Sequence, residues 1–289
     1  MQSSHARAGS RKKQSVLKSK SDEIVSRNEL LIQFFQRYIR IYLRKHFHGI
    51  YLQGEFPKVH KSNHPLIICM NHSSWWDLLI GMWLAEKLPD WTHYGVMDSV
   101  QLERYSIFKK MGVLGADRSS REGIRSFLNN AKTLLMPGSR ALWITPQGEI
   151  CSSRKRPIVL QNGLGHLMHA LGRSEIIYVS VHYEFMTERL PDIFISISNP
   201  VTYDEPATPP KRLTQKIAVQ MEAQLDELQR AVMNVEDGKF RKLLSGGAGT
   251  TLIYDIYRKA AARIQGKEYL PEHNAATVDT KASADYDPD

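Results

Sequence analysis

A chain of 289 residues is long enough for one large α/β domain or two small ones, and 42% hydrophobic with 24% charged residues reads as globular. A formal charge of +9 favours acidic partners, whether a nucleic acid, an anionic bilayer or a phosphorylated substrate, and does not choose among them. The two cysteines, Cys69 and Cys151, exclude a disulfide framework and fit a reducing compartment; no apolar run approaches the roughly 18 to 20 residues that span a bilayer, and no signal-peptide core follows the basic N-terminus, so a soluble or peripheral cytoplasmic protein is expected.

Residues 1–22 carry Arg7, Arg11, Lys12, Lys13, Lys18 and Lys20 with almost nothing to bury, which predicts a disordered basic arm. From about 23 to 48 a helix with two faces is expected. Leu31, Phe34, Phe35, Tyr38 and Tyr42 gather on one side, and Arg37, Arg40 and Arg44 on another. Such a helix suits a membrane interface, its aromatics among acyl chains and its arginines among anionic head groups. Packing against its own domain is the alternative, and the pattern leaves both open.

From 50 to 200 short apolar runs alternate with helical segments, predicting an α/β domain with a mostly parallel or mixed central sheet flanked by helices. The expected strands are 65–70, 92–97, 141–145, 176–183 and 193–198; the expected helices are about 75–87, 120–136 and 160–172. The first strand runs into "NHSSWWD", which sets His72 five residues before Asp77, and "HYGVMD" repeats that spacing with His93 and Asp98. Along a strand His93 and Asp98 stand about 16 Å apart. In a continuous helix an offset of five turns two side chains by about 500° and also separates them.

The first copy has a strand end, a turn and a helix start between its partners. Ser74 followed by Asp77 has the shape of a capping box, which places Asp77 in the first helical turn, within reach of His72. There a carboxylate fixes the imidazole tautomer and raises the basicity of the other ring nitrogen. The spacing alone does not separate a catalytic pair from a simple cap.

Cys151 has no base beside it at motif level and is a poor nucleophile candidate. Trp75 and Trp76 fit an acyl tunnel, the bilayer or plain packing. His166 and His169 lack further partners at metal-ligand spacing, so no metal is expected. Beyond "YDEPATPPK" a long helix places Leu213, Ile217, Met221, Leu225, Leu228 and Val232 on one stripe; a last helix is expected at about 250–266, and 271–289 reads as a disordered acidic tail.

"NHSSWWD" resembles the N-H-x-x-x-x-D signature of the glycerolipid acyltransferase family, which includes lysophosphatidic acid acyltransferases. "MGVLGADR" looks like that family's second block, with Gly112 and Arg118. "WITPQGEICSS" looks like the third, usually F-P-E-G-T-R-S, here Pro146, Gln147, Gly148 and Glu149. "IIYVSVHYEF" sits where a fourth, V-P-V-centred block is usual. The blocks keep family order over about residues 50–200, and the domain is expected to cover 49–270. The sequence departs from the pattern at Gln147, at Glu149-Ile150, at Ser180 in place of proline and at Gly115 in place of an aromatic.

The resemblance implies transfer of a fatty acyl group from acyl-CoA or acyl-carrier protein to a hydroxyl of a lysophospholipid-type acceptor, with no cofactor. His72 is then the general base and Asp77 orients it, while Arg118, Gly112 and the third block contact substrate. Arg118 suits phosphate because a guanidinium offers paired planar donors, an arginine salt-bridged at a loop end being the alternative. Backbone N–H groups around Gly148 suit the oxyanion. Arg154, Lys155 and Arg156 either add positive charge near an anionic group or form a solvated loop.

The altered third block keeps open an acceptor without phosphate, such as a lipid alcohol or glycolipid, and a catalytically silent lipid-binding protein is a more distant alternative. No helix-turn-helix, zinc or RNA-binding signature supports a nucleic-acid partner. Anionic lipid explains the positive charge better, at about 1 kcal/mol per basic residue near the surface. The expected place is the cytoplasmic face of a membrane, bound peripherally.

Overall fold

The computed structural model of the chain describes residues 24–59, 64–136, 138–234 and 239–247, with Ala260, Arg263 and Ile264. The expected basic arm, the acidic tail and nearly all of the helix expected at 250–266 lie outside the described residues. In chain order the elements are α1 (Glu29–His46), β1 (Gly49–Gln53), β2 (Leu66–Met70), α2 (Asp77–Ala85), β3 (Thr92–Asp98) and α3 (Ser99–Arg104). A 3-10 turn (Ser106–Lys110), β4 (Val113–Ala116), α4 (Arg121–Leu135), β5 (Arg140–Ile144) and α5 (Gly163–Leu171) follow. β6 (Ser174–Glu184), β7 (Asp192–Ile197), β8 (Val201–Tyr203), α6 (Pro210–Met233) and β9 (Phe240–Ser245) complete the order.

Among the described residues nine strands form one mixed sheet in the order β4, β3, β5, β2, β6, β7, β1, β9, with β8 also on β6. The five from β4 to β6 are parallel. β7 runs antiparallel to β6, and β1 is parallel to β7. β2, Leu-Ile-Ile-Cys-Met, is buried along its whole length, as a central strand covered on both faces must be.

Side-chain alternation along β2 and β6 feeds two apolar layers. Leu66, Ile68, Met70, Ile177, Val179 and Val181 pack with α1 and α2. Ile67, Cys69, Ile176 and Tyr178 pack with α4, α5 and α6. The result is a single α/β domain, a mixed sheet flanked by helices, as the alternation of runs leads one to expect. The stripe Leu213, Ile217, Met221, Leu225, Leu228 and Val232 is buried along α6.

Registers fix where the strands end. Cys69 pairs Ile144, Met70 pairs Val179, and Asp98 pairs Ala116, so the loops after β2, β3, β4 and β5 leave one edge of the sheet while β6 continues past it to Glu184. The carboxyl ends of adjacent parallel strands are where open α/β sheets place their ligands.

The elements that sequence periodicity does not anticipate are short or lie at edges. β4 is four residues with a glycine, and β9 is an edge strand exposed at half of its positions. α1 is rotated relative to expectation: Ile32, Ile39 and Leu43 are buried with Phe35 and Tyr42 beside them, whereas Leu30, Phe34, Tyr38 and Ile41 are exposed. The branched aliphatic residues make the buried stripe, and the predicted aromatic stripe is divided between core and surface.

Candidate active site

β2 ends at Met70, and Asn71 continues its pairing with β6 through its side chain. The Asn71 amide donates to the Val181 carbonyl (3.0 Å) and its oxygen accepts from the Val181 N–H (2.7 Å). The chain then turns through His72, Ser73 and Ser74 into α2, whose first residue is Asp77.

The Asp77 side chain is fully buried (0% exposed), and its carboxylate is enclosed by donors. Oδ2 accepts from His72 Nδ1 (2.9 Å), Ser73 N–H (2.7 Å) and Ser74 N–H (2.8 Å). Oδ1 accepts from the Tyr183 hydroxyl at 2.6 Å. An ionised carboxylate taken from water needs such donors, and the N-terminus of α2 favours a negative charge at its first turn.

The cap expected at Ser74 and Asp77 is half realised. Asp77 reaches back to the Ser74 N–H, but the Ser74 hydroxyl accepts from Trp76 N–H (3.2 Å) and the Asp77 N–H goes to the Ser74 carbonyl (3.2 Å). Because a carboxylate only accepts, His72 carries its proton on Nδ1 and leaves the Nε2 lone pair free. The His72 side chain is 24% exposed, and among the described residues Nε2 takes no partner.

The third block holds the backbone of this turn. Gln147 Oε1 accepts from His72 N–H (2.7 Å), and Cys151 N–H donates to the His72 carbonyl (2.8 Å). Pro146 is buried and its carbonyl accepts from Gln161 N–H (2.8 Å). Gly148 adopts φ +80°, a conformation glycine tolerates best. An added Cβ there would lie 2.5 Å from Arg118 Nη1, which donates to the Gly148 carbonyl at 2.7 Å.

Thus Arg118, following β4, is drawn to the third block beside the turn of His72; its side chain is 48% exposed and stands 4.0 Å from Asp98. The Gly148 N–H is taken by the Thr145 carbonyl (3.1 Å), so that group is not open to an oxyanion. Glu149 is exposed, beside the Cys151 thiol (3.7 Å). Gly112 is not brought to this edge. It precedes β4 at the far end of the strand, in a turn bonded to Ser26 and Gly95, with φ +86° and Arg27 against it.

"HYGVMD" forms β3, and its ends have separate tasks. His93 bonds the Leu88 carbonyl and Trp143 Nε1–H, and burial pushes it down to about 4, keeping it neutral. Asp98 caps α3.

Arg156 pairs with Asp226 and Gln229 of α6 and with the Ser153 carbonyl, so it braces its loop, whereas Arg154 and Lys155 are exposed. Trp76 packs among Tyr42, His46 and Phe47, and Trp75 is exposed next to it. His166 and His169 are exposed on α5, and among the described residues no group of three or more His, Cys, Asp or Glu has metal-binding geometry.

Asn71 and Tyr183 are the site residues that sequence reasoning missed. Asn71 stands first in "NHSSWWD". Tyr183 follows Val179 and Val181 at a period of two on the face of β6 that looks toward α2, a placement that only the sheet order discloses.

Residues 49–184 match the family model described as Acyltransferase. No curated protein is matched. Among solved structures, that of the 1-acyl-sn-glycerophosphate (LPA) acyltransferase PlsC from Thermotoga maritima is similar to this chain at 14% identity with a TM-score of 0.48, covering 70% of this chain and 79% of that one.

Proposed function

We propose, from the match of residues 49–184 to the Acyltransferase family model, that this chain is an acyltransferase that moves a fatty acyl group from a thioester donor to a hydroxyl of a lysophospholipid-type acceptor. The observation that carries this reading is the buried Asp77 carboxylate 2.9 Å from His72 Nδ1, with Nε2 left free to accept a proton. Nε2 takes the proton of the acceptor hydroxyl as its oxygen attacks the thioester carbonyl. The imidazolium is stabilised by Asp77, and collapse of the tetrahedral intermediate expels the thiolate, which recovers the proton from Nε2. No acyl-enzyme and no cofactor take part. The donor is acyl-CoA or acyl-carrier protein.

Arg118 offers the acceptor's phosphate the guanidinium N–H groups not engaged by Gly148. Its half-exposure and its position beside the third block support that role. The altered third block, with Gln147 where the family usually has Glu, keeps a non-phosphorylated lipid alcohol as the second reading of the acceptor.

Access to lipid is at a membrane surface. Leu30, Phe34, Tyr38 and Ile41 form an exposed apolar stripe on α1, with exposed Arg37, Arg44 and Lys45 on the same helix. Among the described residues no helix is long and apolar enough to cross a membrane.

The deciding experiment is an acceptor screen with purified protein, labelled acyl-CoA and labelled acyl-carrier protein. Product with lysophosphatidic acid-like acceptors supports the reading. Product confined to non-phosphorylated acceptors replaces it with the second. No transfer to any lipid hydroxyl overturns both.

A further inference from the structure

The donors around Asp77 do not all act alike. Ser73 N–H, Ser74 N–H and His72 Nδ1 converge on Oδ2, while Oδ1 has one described partner, the Tyr183 hydroxyl, at 2.6 Å. Tyr183 comes from β6, so it ties the dyad to the sheet; the other donors belong to the turn itself. Its ring lies 6.1 Å from Phe47, which also packs on Trp76, the residue before Asp77.

We infer that Tyr183 is a positioning residue of the reaction: by holding Oδ1 it fixes the plane of the Asp77 carboxylate and draws off part of its charge, so that His72 binds its proton less tightly and stays free to accept one at lower pH. Burial and then the neighbouring Asp77 charge push the Tyr183 hydroxyl well above the usual phenol range, so it remains a donor wherever the enzyme works. A hydrogen bond to a charged oxygen is among the stronger ones, and a buried anionic oxygen without a donor is a better base. The inference rests on His72 as the general base.

Other ionisable groups surround the pair. His46 of α1 lies behind Trp76, and Glu149 and Cys151 follow β5. Arg118 follows β4 on the Gly148 carbonyl, and Glu184 with His182 occupies the opposite face of β6. All of these are unchanged by Tyr183→Phe, which keeps the ring and removes only the hydroxyl.

The test is the pH dependence of kcat and KM for the wild type and Tyr183→Phe. With the donor gone, His72 holds its proton more tightly, so the acid limb of the profile moves up by about one pH unit. The variant is then about tenfold slower on that limb and converges with the wild type above it, with KM within about threefold. A profile that superimposes on the wild type, or a loss equal at every pH, overturns the inference, since a packing defect is not rescued by base. If the phenylalanine variant does not fold, 3-fluorotyrosine at position 183 replaces it. That more acidic phenol moves the limb to lower pH, and an unmoved limb again overturns the inference. His72→Ala separates the two claims: an active His72→Ala enzyme refutes the base itself, whereas an inactive one with a wild-type profile for Tyr183→Phe refutes only the role of Tyr183.

Discussion

Replacing Asp77 by Asn removes one negative charge and leaves the shape of the turn. Two backbone N–H groups, of Ser73 and Ser74, point at Oδ2, and only an oxygen can accept from them. The asparagine must therefore present its carbonyl there, still accepting from His72 Nδ1, and turn its NH2 toward the Tyr183 oxygen, which can accept. The histidine tautomer is preserved, and the loss is that of charge alone. At 2.9 Å and an effective dielectric of about 20, a carboxylate and an imidazolium attract by about 6 kcal/mol. The partly exposed ring and the competing donors on Oδ2 leave roughly half of this, about 3 kcal/mol, which corresponds to a loss of about a hundredfold in kcat. Initial rates at saturating acceptor, with circular dichroism to confirm folding, measure it. A loss below about fivefold means that the charge does not act on the transition state. A loss near the ten-thousandfold known for a reversed tautomer refutes the argument from the two backbone donors.

Arg118→Ala should raise KM for a phosphorylated acceptor about tenfold or more and leave non-phosphorylated acceptors unaffected, because a charge-assisted pair of donors is lost; identical kinetics with every acceptor remove the phosphate role. Gly148→Ala should lower the denaturation midpoint by an amount equal to more than about 1 kcal/mol, since it places a Cβ against Arg118 at a positive φ; an unchanged midpoint contradicts that geometry. The double variant Phe34→Ser with Ile41→Ser should lose binding to anionic vesicles in sedimentation while keeping activity on a detergent-dispersed acceptor. Retained binding would exclude the α1 stripe as the membrane contact. Raising the salt to several hundred millimolar should weaken the wild type's vesicle binding through Arg37, Arg44 and Lys45.

The central strands and the long helices were legible because burial imposes a period. "LIICM" has no polar position and becomes the middle of a sheet, and the α6 stripe from Leu213 to Val232 repeats at three and four. The His72 to Asp77 turn was legible as a strand end followed by a helix start. Neither kind of reasoning reaches contacts across the sheet. Gln147 holds the His72 N–H from 75 residues away, Tyr183 holds Asp77 from 106 away, and Arg118 finds Gly148 only because β4 and β5 flank β3. Gly112 and Arg118 read as a single motif in the sequence, whereas the four residues of β4 lie between them and place them at opposite ends of that strand. On α1 the aromatic residues drew the eye, but Ile32, Ile39 and Leu43 fill the core.

Product formation by purified His72→Ala, with labelled acyl thioester and a lysophospholipid acceptor, tests the central claim most directly. Loss of a general base at this position should cut the rate about a thousandfold while vesicle binding and the unfolding transition stay as in the wild type. Acyl transfer by His72→Ala within tenfold of the wild-type rate would contradict the account.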